Sequence, residues 1–281
     1  MTKTPREIEI TKLHPFENHP FQVKDDDEMN LLMMSIEEYG VLSPIIVRPK
    51  KNTVDEYEII SGHRRFRAVQ KLGYKTIPAF VYALDRDAAA VAVVDSNLHR
   101  ERLLPSEKAY AYKMKLDALK HQGKATDKSS RQLVGKLETS DIISKTESGR
   151  QVQRYIRLTN LIPSLLRYVD EGKIALTPAV ALSYLYVYEQ EALVEAMEYY
   201  DCTPSYSQAV YLKELSKVDA CSENEIYRVM SQQKPNQVEN VKIPLERLQK
   251  YFPRDYSAAQ IGDAIIKILN ARQRVKGGDA R

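Results

Sequence analysis

The chain has 281 residues, 43% of them hydrophobic and 28% charged. That is enough apolar material for two or more domains with cores of their own and more than a wholly disordered chain carries. No apolar run approaches the ~20 residues of a transmembrane helix, and residues 1–10 lack the apolar stretch of a secretory signal, so a cytoplasmic protein is expected. Cys202 and Cys221 have neither CxxC spacing nor a neighbouring His, which argues against a zinc site or a disulfide framework. The net charge of +4 conceals an asymmetry: Arg100 to Arg157 holds 14 Lys/Arg against 7 Asp/Glu, while the remainder is net acidic. A basic middle is the electrostatic footprint of a nucleic-acid binder, although charge alone fits a solvated helical surface equally well.

In chain order, Ile8 and Ile10 open a short strand. Asp27 to Tyr39 places Leu32, Met33, Ile36 and Tyr39 on one helical face, with Gly40 to end it. Val41 to Arg48 reads as a strand at an edge or bulge, because Pro44 interrupts it. Tyr57 to Ser61 is a strand, Gly62 to Leu72 a helix ended by Gly73, Thr76 to Ala83 a further apolar strand, and Asp87 to Leu98 a buried Ala/Val helix. Pro105 to Gln122 is a long amphipathic helix with Tyr112, Leu116 and Leu119 on one face, stopped by Gly123. Polar residues run from there to Ser130, every segment from Ser130 to Val218 reads helical, and Gln232 to Asn240 reads as a linker. A short Pro244–Tyr251 helix follows, then one from Ser257 with Ile261, Ala264, Ile265 and Ile268 on one buried face. The expectation is an α+β N-terminal domain with a small mixed sheet (1–100), an all-α domain (101–231), and a linker with a helical C-terminal unit (232–281).

The strand-to-helix turn Ser61-Gly62-His63-Arg64-Arg65 has the chemistry of a phosphate site. Glycine admits close backbone approach, a helix N-terminus favours an anion, and arginines supply forked donors. Basic residues in a first helical turn oppose the macrodipole, so an anionic ligand is preferred here to the alternative, pairing with the acidic run Asp25–Glu28. Asn97 and Arg100, three apart at the end of the Ala/Val helix, form a weaker candidate.

Together these motifs resemble the ParB family of partition proteins: Gly62-x-Arg64-Arg65-x-x-Ala68 after a strand, then Asn97-x-x-Arg100-Glu101 and a Pro-led helix. The likeness extends upstream through Phe21-Gln22, Ser35-Ile36, Gly40-Val41, Pro44-Ile45 and Val47-Arg48, and downstream through Gly172-Lys173-Ile174 and Thr177-Pro178-Ala179. The resemblance implies a CTP-gated clamp that loads on a centromere-like DNA site, in a plasmid or mobile-element setting and associated with the nucleoid or plasmid. It implies CTP with Mg²⁺ as cofactor, a homodimer on an inverted-repeat duplex, and a ParA-type ATPase partner, although only Lys3 and Arg6 precede the first strand. By residue it places Gln22, Ser61, Gly62, His63, Arg64, Arg65, Asn97 and Arg100 at the nucleotide, with Asn97 also at the magnesium. His63 and Ser96 stand where the family carries carboxylates, which predicts weak metal binding and slow or absent CTP hydrolysis.

Ser148 followed by Gln151 reads as a capping box that starts a helix. Arg150, Gln153, Arg154 and Arg157 share its polar face; Val152, Tyr155, Ile156 and Thr159 share the other. Arg and Gln read guanine and adenine edges, so Ser148, Arg150, Gln151, Gln153, Arg154 and Arg157 are the expected DNA reader of a helix-turn-helix. Its partner is a helix over Ser130–Glu138, separated by an unusually long segment, Thr139–Glu147. His14, His19 and His121 are isolated and read as surface or turn residues. The tyrosines at 184, 186, 188, 199, 200, 206 and 211 read as packing of the helical domain, without basic interleaving. Two other classes stay open. One is a nucleotide-dependent phosphotransferase or nuclease using Ser61, His63 and Asp95 on the same scaffold. The other is a plain transcription regulator. A sulfiredoxin-like redox enzyme, which Gly62-His63-Arg64 resembles, lacks its nucleophilic cysteine here.

Overall fold

The computed structural model describes residues 4–100, 103–125, 147–232 and, further on, 248, 251–253, 256–257 and 260–268. The expected helix Ser130–Glu138, most of the Thr139–Glu147 segment and most of the Pro244–Tyr251 helix lie outside these residues. The chain divides into two compact units, Met1–Gln232 and Gln233–Arg281.

Five strands, β1 (Arg6–Glu9), β2 (Leu13–Pro15), β3 (Ile45–Pro49), β4 (Tyr57–Ser61) and β5 (Thr76–Val81), form one mixed sheet in the order β1-β5-β3-β4-β2. β3 runs parallel to β5 and antiparallel to β4. It is therefore central, not an edge strand. The irregularity expected of its Pro44 region appears as a register shift between Ile46 and Val47, and Pro44 itself lies just before the strand. Arg6 is the first residue of β1 rather than part of a preceding arm.

Alternation along the strands divides the sheet's two faces. Ile45, Val47, Ile59, Ile77 and Ala79 pack with Met29, Ile36, Phe66 and Val69 of α1 (Asp27–Tyr39) and α2 (His63–Lys71). On the other side, Ile60 joins Phe16, Phe21 and Ala89, Ala90, Val93 and Val94 of α3 (Arg86–Asn97). Asp26 and Asp85 cap α1 and α3, each accepting from a backbone N–H of the first turn.

α4 (Pro105–Ala125) continues through Gly123 rather than stopping at it. The glycine lowers propensity there by only about 1 kcal/mol, which neighbouring turns override. Ala111 and Ala118 pack toward α3, Tyr112 and Leu116 meet Val152 of α5 (Gly149–Arg157), and Ala109 enters the helical core. That core is built from α6 (Pro163–Asp170), α7 (Leu176–Leu182), α8 (Val187–Tyr199), α9 (Tyr206–Lys217) and α10 (Glu223–Met230) around Leu158, Leu165, Leu182, Leu193 and Leu212. In the second unit residues 260–268 are helical, and Ser257 and Gln260 cap each other reciprocally. Ile261 is buried, but Ile268 is 59% exposed, so the expected four-residue buried stripe is shorter than its spacing suggested.

Candidate functional site

β4 ends at Ser61, paired with Ile46, and the chain enters α2 through Gly62 at φ +103°. A Cβ there would lie 2.6 Å from Ile45 Cγ2, so backbone and packing both demand glycine. Gly62 supplies no side-chain cap, and the first turn of α2 contains no acidic residue. The positive end of the helix is thus left without a side-chain cap, the arrangement that attracts a phosphate.

His63, the first residue of α2, is 7% exposed. Its ring lies against that of His19, with centroids 3.8 Å apart and planes tilted by 38°. His19 Nδ1 donates to the Phe21 carbonyl at 2.8 Å, which leaves its Nε2 as a lone pair. The Nε2 atoms of both rings are buried without a hydrogen-bond partner. Burial, followed by the proximity of His19 and of positive Arg100, pushes His63 down to about 3. Burial also lowers His19, against the raising effect of its bond to Phe21. Both imidazoles are neutral at pH 7.

Arg64 donates to Asp26 Oδ1 at 3.1 Å and lies 3.5 Å from Glu28. Arg100 sits over the Phe21 ring, 5.8 Å from its centroid, and its pKa is lowered by burial and by the positive charge of Arg64. His19, His63, Arg64 and Arg100 therefore meet at the start of α2. His19 is the member that sequence reading passed over; the one signal available was its place three residues before Gln22.

The remaining expected residues are placed differently. Arg65 turns to the α1–β3 loop, donating to the carbonyls of Ser43 and Pro44, and is half-buried there. Gln22 is exposed, and its backbone N–H donates to Glu107 Oε1 at 2.8 Å. Asn97 is 4% exposed, with its amide nitrogen donating to Val93 O and Ser96 Oγ. Asp95 is 2.5 Å from Lys115 Nζ on α4, so its carboxylate is already engaged. The pairing with the acidic run, set below an anionic ligand on sequence grounds, is present: Arg64 meets Asp26, and Arg67 and Lys71 meet Asp25 at 2.9 and 2.8 Å. Those contacts hold Asp25 down at about 2.

On α5 the Ser148 hydroxyl accepts from the Gln151 N–H, but the reciprocal half of the capping box is replaced: Gln151 Oε1 accepts from Arg154. Ser148, Arg150 and Gln153 are exposed. Arg154 donates to Thr177 Oγ1 at 2.6 Å. Arg157 donates to the hydroxyl and carbonyl of Ser183 and lies 3.8 Å from the Tyr184 ring centroid, on whose ring Lys213 also rests at 4.3 Å. The seven tyrosines are not core packing, since Tyr186, Tyr188, Tyr199 and Tyr206 are more than half exposed. Basic neighbours are present at Tyr184, because tertiary contact brings in Arg157 and Lys213 from distant sequence.

The ParB N-terminal domain family model matches residues 1–98. A nucleoid occlusion protein of Listeria monocytogenes is 32% identical over 203 residues, covering 68% of this chain and 67% of that protein. A probable chromosome-partitioning protein ParB of Mycobacterium leprae is 40% identical over 114 residues, 40% of this chain and 34% of that one. The chain spans less than half the length of several such relatives. Among solved structures, the C-terminally truncated ParB of Caulobacter crescentus complexed to the centromeric parS site shares 25% identity over 74% of this chain and 98% of that one, with a TM-score of 0.43. The form complexed with CTP-γ-S shares 28% identity over 70% of this chain and 99% of that one, with a TM-score of 0.33. The Listeria match runs well beyond the N-terminal domain into the helical part. On that extent the chain belongs to the ParB family.

Proposed function

We propose that this chain is a sequence-specific DNA-binding protein of partition or nucleoid-occlusion type, gated by a cytidine nucleotide bound at the start of α2. The observation that carries the reading is the uncapped N-terminus of α2, with Arg64, Arg100 and two neutral imidazoles gathered beside it. The descriptions of the matched relatives, nucleoid occlusion and chromosome partitioning, support the DNA side of the proposal, and family membership supports CTP as the nucleotide.

In this reading the α2 N–H groups and Arg64 hold phosphate, Arg100 adds charge from the end of α3, and Ser61 and Gly62 shape the turn. Arg65 acts indirectly, by fixing the Ser43–Pro44 loop against α2. α5 presents Arg150 and Gln153 to a DNA groove from a helix capped by Ser148, with a homodimer matched to an inverted repeat. Carriage on a plasmid or mobile element belongs to the same proposal.

The residues present offer magnesium few of the hard oxygen ligands it demands: Asp95 is bound to Lys115 and His63 brings an imidazole, while the Asn97 amide donates through its nitrogen to Val93 O, so its oxygen is the ligand this reading assigns to the ion. The proposal is therefore binding and gating, with hydrolysis slow or absent. Isothermal titration with CTP, ATP and GTP, with and without specific DNA, tests it. CTP should bind more tightly than ATP or GTP, and absence of binding by every nucleotide overturns the gating.

A further inference from the structure

The Tyr184 ring, 45% exposed, carries two cations. Arg157 Cζ lies 3.8 Å from its centroid and Lys213 Nζ 4.3 Å, so the two charges are no more than about 8 Å apart, within one Debye length at physiological salt. The guanidinium is anchored on the hydroxyl and carbonyl of Ser183. The ammonium has no such anchor: among the described residues Lys213 pairs with no carboxylate, and Glu214 beside it is held by Lys217 at 2.7 Å. We propose that Lys213 and the Tyr184 hydroxyl form a contact for a backbone phosphate of duplex DNA, outside the α5 reader. The inference rests on the DNA reading above.

The chemistry of the pair suits a phosphate. Lysine brings a point charge with three donors, and a weak exposed cation–π contact leaves those donors unspent. The Tyr184 hydroxyl has no partner among the described residues. Lysine and tyrosine are both among the side chains that hold phosphate and sugar, contacts that set register on a duplex without reading its sequence. Arg157 is the positioning residue: fixed on Ser183, it holds the ring from which the hydroxyl projects.

The location points to the same partner. Arg150, Arg154 and Arg157 follow one another at four and three residues, a single row along α5. Arg157 ends that row on Tyr184, and the ring passes it to Lys213 of α9. The seven-residue step from Arg150 to Arg157 is about 10 Å, and the step across the ring extends the row to roughly 18 Å, half of the 34–36 Å turn of B-DNA. A positive row of that length follows phosphates along one groove wall while Arg150 and Gln153 face the bases. A single strand is the poorer fit, because a base stacks on an open aromatic face and cations already rest on this ring.

Selection of the full-length protein on random oligonucleotides supplies a preferred duplex. Affinities for it, for a random duplex and for a single strand are then measured from about 50 to about 200 mM salt. Lys213→Gln should weaken both duplexes alike, by roughly three- to tenfold near 0.15 M salt, and flatten the slope of log affinity against log salt by about 0.9 per bound protomer, with the selected motif unchanged. Lys213→Arg should restore most of the affinity. Tyr184→Phe keeps the ring and both cations, and should weaken both duplexes equally, by less, at an unchanged melting temperature. Lys12→Gln, whose ammonium pairs with Asp55 at 2.6 Å, should do neither. Unchanged affinity and slope in folded Lys213→Gln, while the unsubstituted chain selects a motif, overturns the phosphate contact and leaves the DNA reading intact. A changed motif makes Lys213 a base reader and overturns it equally. Should Lys213→Gln fail to fold, Tyr184→Phe decides, and unchanged affinity there overturns the contact. Tighter binding of the single strand overturns the duplex as partner; no binding of any duplex by the unsubstituted chain ends the DNA reading and the contact together.

Discussion

The backbone N–H of Gln22 donates to the carboxylate of Glu107 at 2.8 Å, across 85 residues of chain. The other oxygen of that carboxylate accepts from Leu104 N–H at 3.0 Å, so one buried side chain caps α4 and ties it to the loop beneath His19. Glu107→Ala strips both N–H groups of their acceptor. Each orphaned donor costs about 1–3 kcal/mol. The urea midpoint should fall with little change in slope, and Glu107→Gln should recover part of the loss.

The two arginines after His63 should separate cleanly. Arg64→Ala removes a charge-assisted phosphate contact worth about 1.5–3 kcal/mol, so CTP binding should weaken by roughly ten- to a hundredfold with little loss of stability. Arg65→Ala releases the carbonyls of Ser43 and Pro44 and should lower the melting temperature first. Equal effects of the two substitutions on CTP affinity, measured by titration, would contradict this division.

The burial of His63 makes stability depend on pH with a definite sign. Its folded pKa, about 3, lies below the ordinary 6.5. Between those values the unfolded chain binds the proton and the folded one does not. Its contribution is therefore complete above pH 6.5 and is lost progressively as pH falls toward 3. Denaturation at pH 7 and pH 4.5 should show a smaller loss for His63→Gln than for the unsubstituted chain; parallel losses would mean that the ring is solvated.

On α5 the expected effects divide by what each side chain touches. Arg150→Ala and Gln153→Ala should cost about 1–3 kcal/mol on a preferred DNA site and little on random sequence. Arg157→Ala should act on folding, since its guanidinium is spent on Ser183 and Tyr184. Binding selection on random oligonucleotides, run with each variant, distinguishes an altered motif from a general loss of active protein.

Local signals made much of this legible. Asp27–Tyr39 agrees at both ends because Asp26 and Gly40 mark its caps, and Tyr57–Ser61 agrees because turn residues bound it. Ser148 announced α5 in the same way. What escaped was tertiary. β3 became central through a parallel pairing with β5 across some thirty residues, which no local pattern encodes. Arg65 and Arg157 looked like ligands because they are basic, and they found backbone carbonyls instead. His19 looked isolated until folding stacked it on His63 from 44 positions away.

α4 serves three cores at once, through Ala109, Ala111 and Tyr112. With 21 residues it is about 31 Å long. A tilt of ~3° about its first turn carries its far end ~1.6 Å, comparable with the one-turn-fraction slips by which packed helices change partners. Glu107 places the pivot of this lever against Gln22. Tyr112 and Leu116, through which α4 bears on α5, lie five and nine residues beyond that pivot, so the same tilt displaces them by only ~0.4 and ~0.7 Å while the far end of the helix moves most.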